Sequence, residues 1–362
     1  MFDRIQKIGA IYGSNNLIIN GDVVANSDIL PAVAAQLFRP ELEQLTQEAR
    51  KEMQNSIGEC IQAVLEQVVE KRLEEKLTEF SRPDTQWAFY STLKGYSISE
   101  TQEQREMMVD SMIDRIQENW DSADRLIIDS ALEVLPKLTP SMLSTIGLLQ
   151  LRHQMTTAPV AFMLEQYFAG LSPLAEQMAS IKTLEMEYLK QEKLILPIPG
   201  FGAAVPLEKI LLTNYDLFFR KPLPDGVYED YCREHPVAHE AVTDSPASAC
   251  MMWVNGMANN ETAFCCPNSN LLKRSLSERN QTYIIPHVDA LMGMMPPFSE
   301  EEVRAYFCRL TPAWDRLFKI FSSDVMTHYM LSIVGNYIGG KVLAKACHSA
   351  PIALSNYNKE LL

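Results

Sequence analysis

The 362-residue sequence lacks the short motifs that most often identify an enzyme. It contains no phosphate-binding loop of the Walker type, no G-x-S-x-G nucleophile motif and no H-E-x-x-H zinc motif. The segment Gly200-Phe201-Gly202 has neither the third glycine nor the following helix start of a dinucleotide-binding loop. The sequence therefore identifies no catalytic residue, no cofactor-binding residue and no metal ligand set, and it favours a non-enzymatic protein.

Basic residues are scarce compared with acidic ones. The chain has 32 Lys and Arg against 46 Asp and Glu, which gives a formal net charge of −14. Non-specific binding to nucleic acid depends on Lys and Arg side chains that displace counterions, and anionic lipid likewise attracts basic segments. We therefore expect no nucleic-acid partner and no association with membranes.

The sequence also lacks a cysteine framework and an apolar N-terminal stretch. Its 7 cysteines are an odd number and are scattered, which is typical of free thiols in a reducing compartment. The first residues, MFDRIQKIGAIYG, contain no long apolar run with a cleavage site, so we expect no signal peptide. Both features predict a cytoplasmic location.

What the sequence does have is an ordinary globular composition with helical patterning. Hydrophobic residues make up 47% and charged residues 22%, which is enough to bury a substantial core. We predict a mainly α fold, with a multi-helix body, a short N-terminal β-hairpin-like element and a loop-rich insertion before the C-terminal helices. The predicted segments are the β element at 1–27, a helical region at 28–193, a loop-rich and proline-rich region at 194–298, and the C-terminal helices at 299–362.

The N-terminal β element is centred on Asn20-Gly21. Asn-Gly between two runs of β-branched residues favours a tight two-residue turn, because both positions accept positive φ. Each arm has only about four residues, and an isolated hairpin of that size is marginal in water. We therefore expect it to pack on the helical body or to pair with the same segment of another copy.

A long amphipathic helix is predicted over residues 41–80. The range contains no proline, and its apolar residues recur every three to four positions, as on one face of a helix. A helix of that length needs a partner along its whole apolar stripe, within the chain or in an oligomer. The stripe consists of Leu42, Leu45, Ala49, Met53, Ile57, Cys60, Val64, Val68, Leu73, Leu77 and Phe80.

Further helices are indicated by capping and proline signals. Ser99 with Gln102 and Ser299 with Glu302 have the spacing of capping boxes, and Pro140 suits the first position of a helix. The other helices predicted from periodicity and these signals span 28–39, 85–95, 100–119, 122–135, 140–154, 158–169, 173–193, 206–213, 225–234, 299–309, 312–321 and 324–347.

The loop-rich region contains the best candidate for a metal site. A loop is predicted at 243–270 and a short extended piece at Tyr283-Ile284-Ile285. Cysteine and histidine bind zinc in tetrahedral sets, but no C-x-x-C pair frames this region, so unligated loop and core residues remain the alternative. The candidate ligands are Cys232, His235, His239, Cys250, Cys265 and Cys266.

Two other chemical sites are weaker. A thiol nucleophile, Cys265 or Cys266, would need a base such as His235, His239 or His287 within hydrogen-bond reach. On the predicted helix 100–119, the carboxylates occupy every fourth position and share one face, which suits acid–base chemistry, metal binding or simple solvation. These carboxylates are Asp110, Asp114 and Glu118, with Arg105 and Arg115 nearby.

The C-terminal segment 325–346 is the most membrane-like part of the chain. It contains the G-x-x-x-G pattern Gly335-Asn336-Tyr337-Ile338-Gly339, which allows two helices to approach closely. A membrane-spanning helix needs about 20 mainly apolar residues, and this one is interrupted. We therefore favour a buried helix over a membrane-disrupting one, because of the polar residues His328, Asn336, Lys341 and Lys345.

Four stretches of the chain carry a family resemblance. They are the N-terminal Asn20-Gly21-Asp22-Val23-Val24, the segments within 89–96 and 107–115, the segment 131–140, and the C-terminal 331–339. Together they resemble an uncharacterised bacterial family known by locus-tag names. The resemblance implies a bacterial origin and a genomic setting linked to phage defence, and it transfers no catalytic residue to this chain.

The sequence thus predicts a non-enzymatic, self-associating interaction protein that forms homo-oligomers through residues 15–26 and the stripe of 41–80. The family resemblance implies a role in a phage-defence system. A protein partner is compatible with this prediction. The alternatives are an enzyme or zinc-stapled module centred on 232–266, and a membrane-disrupting effector that uses 325–346.

Overall fold

The computed structural model is mainly helical with a few short antiparallel strand pairs, which confirms the predicted fold class. Most of its regular structure therefore satisfies backbone hydrogen bonds locally. The described residues are 16–19, 22–25, 30–35, 45–118, 122–150, 167–198, 205–237, 252–255, 261–264, 266, 268–322 and 329–347.

The chain forms two compact units. The first comprises residues 1–139, 333–338 and 353–362, and the second comprises 140–332 and 339–352. The predicted helical region 28–193 is therefore divided between Thr139 and Pro140.

Among its described residues, the first unit combines a strand pair with four long helices and a shorter helical stretch. The strands are β1 (Asn16–Ile19) and β2 (Asp22–Ala25). Residues 30–35 are also helical, and 3-10 turns occupy Glu74–Ser81 and Leu135–Lys137. The helices are α1 (Gln47–Glu70), α2 (Pro83–Ile98), α3 (Gln102–Gln117) and α4 (Ala123–Val134).

The predicted hairpin is present as a backbone pair. β1 and β2 are antiparallel, with Leu17 opposite Val24 and Ile19 opposite Asp22. The two residues between the strands, Asn20 and Gly21, lie outside the described residues. Among the strands that the structure describes, β1 and β2 pair only with each other, so each has a second edge without a strand beside it.

The long helix predicted over 41–80 is wrong in its length, because α1 ends at Glu70. Arg72 adopts a left-handed φ of 56°, and the Leu73 N–H donates to the Val68 carbonyl at 2.8 Å while the Arg72 N–H donates to Val69 at 3.1 Å. This is a Schellman motif, which closes a helix by a 6→1 hydrogen bond. Glycine usually takes the left-handed position, so the sequence did not predict that the helix ends at Arg72.

The apolar stripe of α1 is buried inside the first unit. Cys60, Val64 and Val68 are fully buried, and α1 packs against α2 and α3. Phe80 meets Phe89 edge to face, with ring centroids 5.0 Å apart. The helix therefore finds its partner within its own chain along the part of the stripe from Ile57 onward.

The second unit is built from shorter helices. Residues 167–170 are also helical, a 3-10 turn occupies Thr282–Ile284, and the last helix lies in this unit from residue 339 onward. The helices are α5 (Pro140–Gln150), α6 (Ser172–Met178), α7 (Thr183–Gln191), α8 (Leu207–Asn214), α9 (Val227–Glu234), α10 (Ser269–Glu278), α11 (Ile285–Met294), α12 (Glu300–Leu310), α13 (Ala313–Phe321) and α14 (Ile333–Ala346).

Two further antiparallel pairs belong to the second unit. The strand β3 (Ile195–Pro197) pairs with β6 (Tyr329–Leu331), and β4 (Met252–Asn255) pairs with β5 (Glu261–Phe264). The loop predicted over 243–270 is therefore wrong at 252–255 and 261–264. Short strands of four residues carry too weak a periodicity to stand out from a loop.

Two predicted helices begin or break elsewhere. The helix predicted over 173–193 is split into α6 and α7, and α7 ends in another Schellman motif with Lys193 at a φ of 55°. Within the helix predicted over 324–347, residues 329–331 form β6 and α14 begins at Ile333, while 324–328 lie outside the described residues.

Three further predictions concern the first residues of helices. The Ser299–Glu302 capping box is confirmed, whereas the box of α3 uses Thr101 with Gln104 rather than Ser99 with Gln102. The extended piece predicted at 283–285 is wrong, because these residues are helical and Pro286 lies in the first turn of α11. Proline is tolerated there, since the N–H that it lacks would have no intrahelical partner.

Helix α5 is the most deeply buried helix end to end, since every residue from Ser141 to Gln150 is buried. It packs against α6, and α6 packs against α13. Around Phe168 a dense aromatic cluster includes Phe307, with ring centroids 4.9 Å apart, and Tyr215 at 5.1 Å. Burial of this apolar and aromatic surface is the main favourable term in folding the unit.

Glycines let α5 and the C-terminal part of α14 approach closely. A Cβ built on Gly339 would stand 3.0 Å from the Ile146 carbonyl oxygen, and one on Gly147 would stand 2.6 Å from Val342 Cγ1. Val342 is itself fully buried. Gly339 of the G-x-x-x-G pattern thus serves helix packing. No helix in the described part of the chain has the length and apolar character needed to cross a membrane.

Gly147→Ala is expected to lower the free energy of unfolding by about 1–2 kcal/mol, because overpacking a filled core outweighs the helix propensity that alanine gains. Urea unfolding followed by circular dichroism measures the change.

Gly293→Ala is the matched control. Gly293 also lies within a helix, but no atom stands within 4 Å of a Cβ built there. This variant should be unchanged or more stable by up to about 1 kcal/mol. Equal losses in the two variants would contradict the close approach at Gly147.

Candidate functional site

The second unit brings two histidines and a tyrosine together. The Tyr231 hydroxyl lies 3.0 Å from His287 Nδ1, within hydrogen-bond distance. The His235 ring centroid is 4.6 Å from that of Tyr231 and 5.4 Å from that of His287. We call these three residues the imidazole cluster.

Two helices position the imidazole cluster. Tyr231 lies in α9 and His235 follows four residues later as its C-terminal cap, so both side chains lie on one face. His287 lies in the first turn of α11. Beneath the cluster, α9, α10 and α11 enclose an apolar core to which Cys232 and Val288 belong and against which Tyr231 packs. The cluster is therefore fixed on a packed base, with His235 exposed to solvent.

Of the residues predicted as zinc ligands, Cys232 and Cys266 are buried in this apolar core. Burial raises the pKa of Cys232 above its usual range, although a hydrogen bond with Tyr228 lowers it in part. The Cys266 thiol donates to the Asn268 carbonyl at 3.4 Å. Both thiols therefore behave as small apolar groups.

The other predicted ligands, His239, Cys250 and Cys265, lie outside the described residues. In the part of the chain that the structure describes, no group of three or more His, Cys, Asp or Glu side chains is arranged to hold a metal ion. Within this part, the tetrahedral cysteine–histidine set predicted over 232–266 is not assembled.

The carboxylates of α3 form structural hydrogen bonds. Asp110 accepts from Gln67 of α1, and Asp114 accepts at 2.9 Å from the hydroxyl of Tyr337, which belongs to the same unit. Burial raises the pKa of Tyr337 well above its usual range, so the hydroxyl stays protonated and donates. Glu118 caps the C-terminus of α3. The shared face predicted for these carboxylates thus anchors neighbouring helices.

An ion network with two buried arginines and partly exposed carboxylates lies in the first unit, and sequence analysis did not predict it. Arg115 donates to Asp129 at 2.7 Å and to Asp84 at 3.2 Å. Arg125 donates to the same Asp84 carboxylate oxygen at 3.2 Å and to Glu79 at 3.4 Å. Both arginines are almost fully buried. The network therefore joins the 3-10 turn 74–81 to α2, α3 and α4.

One sequence signal could have indicated this network. Arg125 lies three and seven residues before Ile128 and Leu132, in the apolar stripe of α4, where both of these residues are buried. A charged residue in such a stripe must find buried partners. The sequence does not say which carboxylates those are, because Glu79 and Asp84 are more than 40 residues away.

Comparison with known proteins identifies a family. The model of an uncharacterised family, named by locus tag, matches residues 30–356 of this chain. No curated protein and no solved structure matches the chain. The matched range starts after the hairpin and includes α1 to α14.

Asp84→Asn is expected to destabilise the protein at pH 7 by about 1–2 kcal/mol, because it leaves two buried guanidinium groups short of a partner. The loss is smaller than for a fully buried pair, since the Asp84 side chain is 41% exposed and solvent screens it. Burial raises the pKa of Asp84, but hydrogen bonds from Arg115 and Arg82 outweigh burial and lower the pKa below its usual range.

The pH dependence has a definite sign. A carboxyl group whose pKa is lower in the folded state stabilises the fold above its unfolded pKa of about 3.9, and this contribution is lost as the pH falls through the folded pKa. The difference between wild type and Asp84→Asn in urea unfolding should therefore shrink below about pH 4. A difference that stays constant with pH would contradict the role given to Asp84.

Asp230→Asn is the control for this experiment. Asp230 pairs with Arg233 at 2.8 Å, but both side chains are at least 70% exposed. Exposed ion pairs contribute little, so its unfolding free energy should stay within about 0.5 kcal/mol of wild type.

Proposed function

The chain belongs to the uncharacterised, locus-tag-named family whose model matches residues 30–356, and we propose that it acts as a non-enzymatic, self-associating interaction protein. The observation that carries the proposal is the hairpin β1–β2, a two-stranded sheet with a free edge on each strand among the described strands.

A free strand edge favours pairing with another strand. It presents a row of backbone N–H and C=O groups that can template a strand from another chain. A two-stranded hairpin is marginal by itself and gains stability when a third strand is added. A second copy supplies such a strand with the same length and sequence, so its hairpin is the occupant that we propose.

The surface that we propose for self-association is smaller than the one predicted from the sequence. The stripe of 41–80 was expected to join copies, but from Ile57 to Phe80 its apolar residues are largely buried within the first unit. That part of the helix is not available to a second copy. The proposed interface is therefore the hairpin, and it is proposed for this chain alone, since the family match begins after it.

The first unit also presents an aromatic residue suited to a protein partner. Trp87 of α2 is 66% exposed, and its ring stacks on Tyr90 with centroids 5.8 Å apart. Large aromatic side chains that a neighbour already holds in place lose little entropy on binding and are frequent anchors in interfaces. Trp87 supports a role in which the assembled copies bind another protein.

Val23→Pro should abolish self-association. In a hairpin closed by a two-residue loop, the closing pair exchanges hydrogen bonds and the next pair directs its backbone groups outward. Here that next pair is Ile18 and Val23. Proline at 23 removes an outward N–H, so the mass measured by light scattering should fall from that of an oligomer to that of a single chain.

Val23→Thr is the matched control, because threonine keeps the backbone donor and a β-branched side chain. It should retain the mass of wild type. A wild-type chain that is monomeric at every concentration tested would overturn the proposal, and so would a Val23→Pro variant with unchanged oligomeric mass.

We propose phage defence as the cellular setting, and the family resemblance alone supports it. In bacteria that express the wild-type chain, phage plating efficiency should fall below that with an empty vector, and Val23→Pro should restore it if assembly is required. Equal plating with the wild-type chain and an empty vector, over a panel of unrelated phages, would count against this setting.

A further inference from the structure

We infer that His235 and His287 form a two-imidazole binding site for a late first-row transition-metal ion, such as Zn²⁺ or Cu²⁺. The site is independent of self-association. It also differs from the predicted zinc staple, whose described cysteines lie in the apolar core.

The spacing of the two rings fits chelation. A zinc–imidazole bond is about 2.0–2.1 Å, which puts each ring centroid about 3.2 Å from the ion. Two such rings at a near-tetrahedral angle have centroids about 5–5.5 Å apart. The observed separation is 5.4 Å, with the ring planes inclined at 51°.

Tyr231 provides the orienting contact that metal-binding histidines commonly have. Its hydroxyl lies 3.0 Å from His287 Nδ1, which leaves Nε2 of the same ring as the nitrogen that can bind an ion. A histidine ligand is usually held by a hydrogen bond from its other ring nitrogen, which fixes the tautomer and the ring direction. Tyr231 also contacts the His235 ring, so one side chain positions both imidazoles.

The cluster is accessible to an ion, because its face is open at His235, which is exposed to solvent. Asp230 of α9 is paired with Arg233, and Asp289 of α11 is paired with Lys273, so these ion pairs add no net charge of either sign. With two protein ligands, the remaining coordination positions are left to water or to a small ligand. Imidazole ligands of this kind select zinc, copper or nickel over magnesium and calcium.

The test uses the untagged full-length chain after treatment with a chelator. Equilibrium dialysis against Zn²⁺ alone and against Cu²⁺ alone, followed by elemental analysis, should give one ion per chain. His235→Gln and His287→Gln should each weaken binding at least about tenfold, and Tyr231→Phe should weaken it by about tenfold through loss of orientation. Gln keeps a polar side chain of moderate size, and circular dichroism checks the fold of each variant.

His328→Gln is the control, since it removes a histidine from a different part of the sequence, and it should bind as wild type does. Electron paramagnetic resonance of the Cu²⁺-loaded wild-type chain should show coupling to two imidazole nitrogens, and each of the two site variants should show one. Absence of stoichiometric binding would overturn the inference. A wild-type copper spectrum without two nitrogens would also overturn it, whether or not the variants fold.

Discussion

The arrangement of helices in the first unit depends on pairing two buried guanidinium groups, those of Arg115 and Arg125, with carboxylates. Removing a charge from water costs several kcal/mol unless it is paired and hydrogen-bonded, so Arg115 and Arg125 require carboxylates at defined places. Asp84 lies at the start of α2 and bonds to both arginines, while the Glu118 carbonyl at the end of α3 accepts from Arg125 at 2.7 Å. Apolar packing drives these helices together, and the ion network fixes which ends meet.

The sequence predicted most of the helices, because periodicity and capping are local signals. Ser299 with Glu302 was found in this way, and so was the apolar stripe of α1. The ends of helices were harder to predict. Arg72, Lys193 and Asn280 each take a left-handed φ where glycine is usual, and each is followed by a 6→1 hydrogen bond to the helix. A left-handed arginine or lysine costs roughly 1–2 kcal/mol, which the capping bonds offset only once the helix is packed.

Sequence analysis was limited in a similar way at the candidate site, where the residues that meet are far apart in the sequence. Sequence proximity joined His235 to cysteines between 232 and 266, whereas the fold joins it to His287, more than 50 residues away. Cys232 is a close neighbour in the sequence, but helical spacing turns it towards the apolar core. Tyr231 and His235 are four residues apart and share one helix face, but the sequence analysis did not pair them. The third member depended on how α11 packs against α9, and a single sequence does not contain that information.

The proposed self-association and the proposed metal binding involve different residues of this chain. The strand edges belong to residues 16–25, in the segment assigned to the first unit, and the imidazole cluster belongs to the second unit. Each unit has its own buried core. A chain without its hairpin therefore keeps both imidazoles, and a chain without the imidazoles keeps both strand edges. The hairpin precedes the range matched by the family, whereas His235 and His287 lie inside it, so the family match covers the proposed metal site and not the proposed interface.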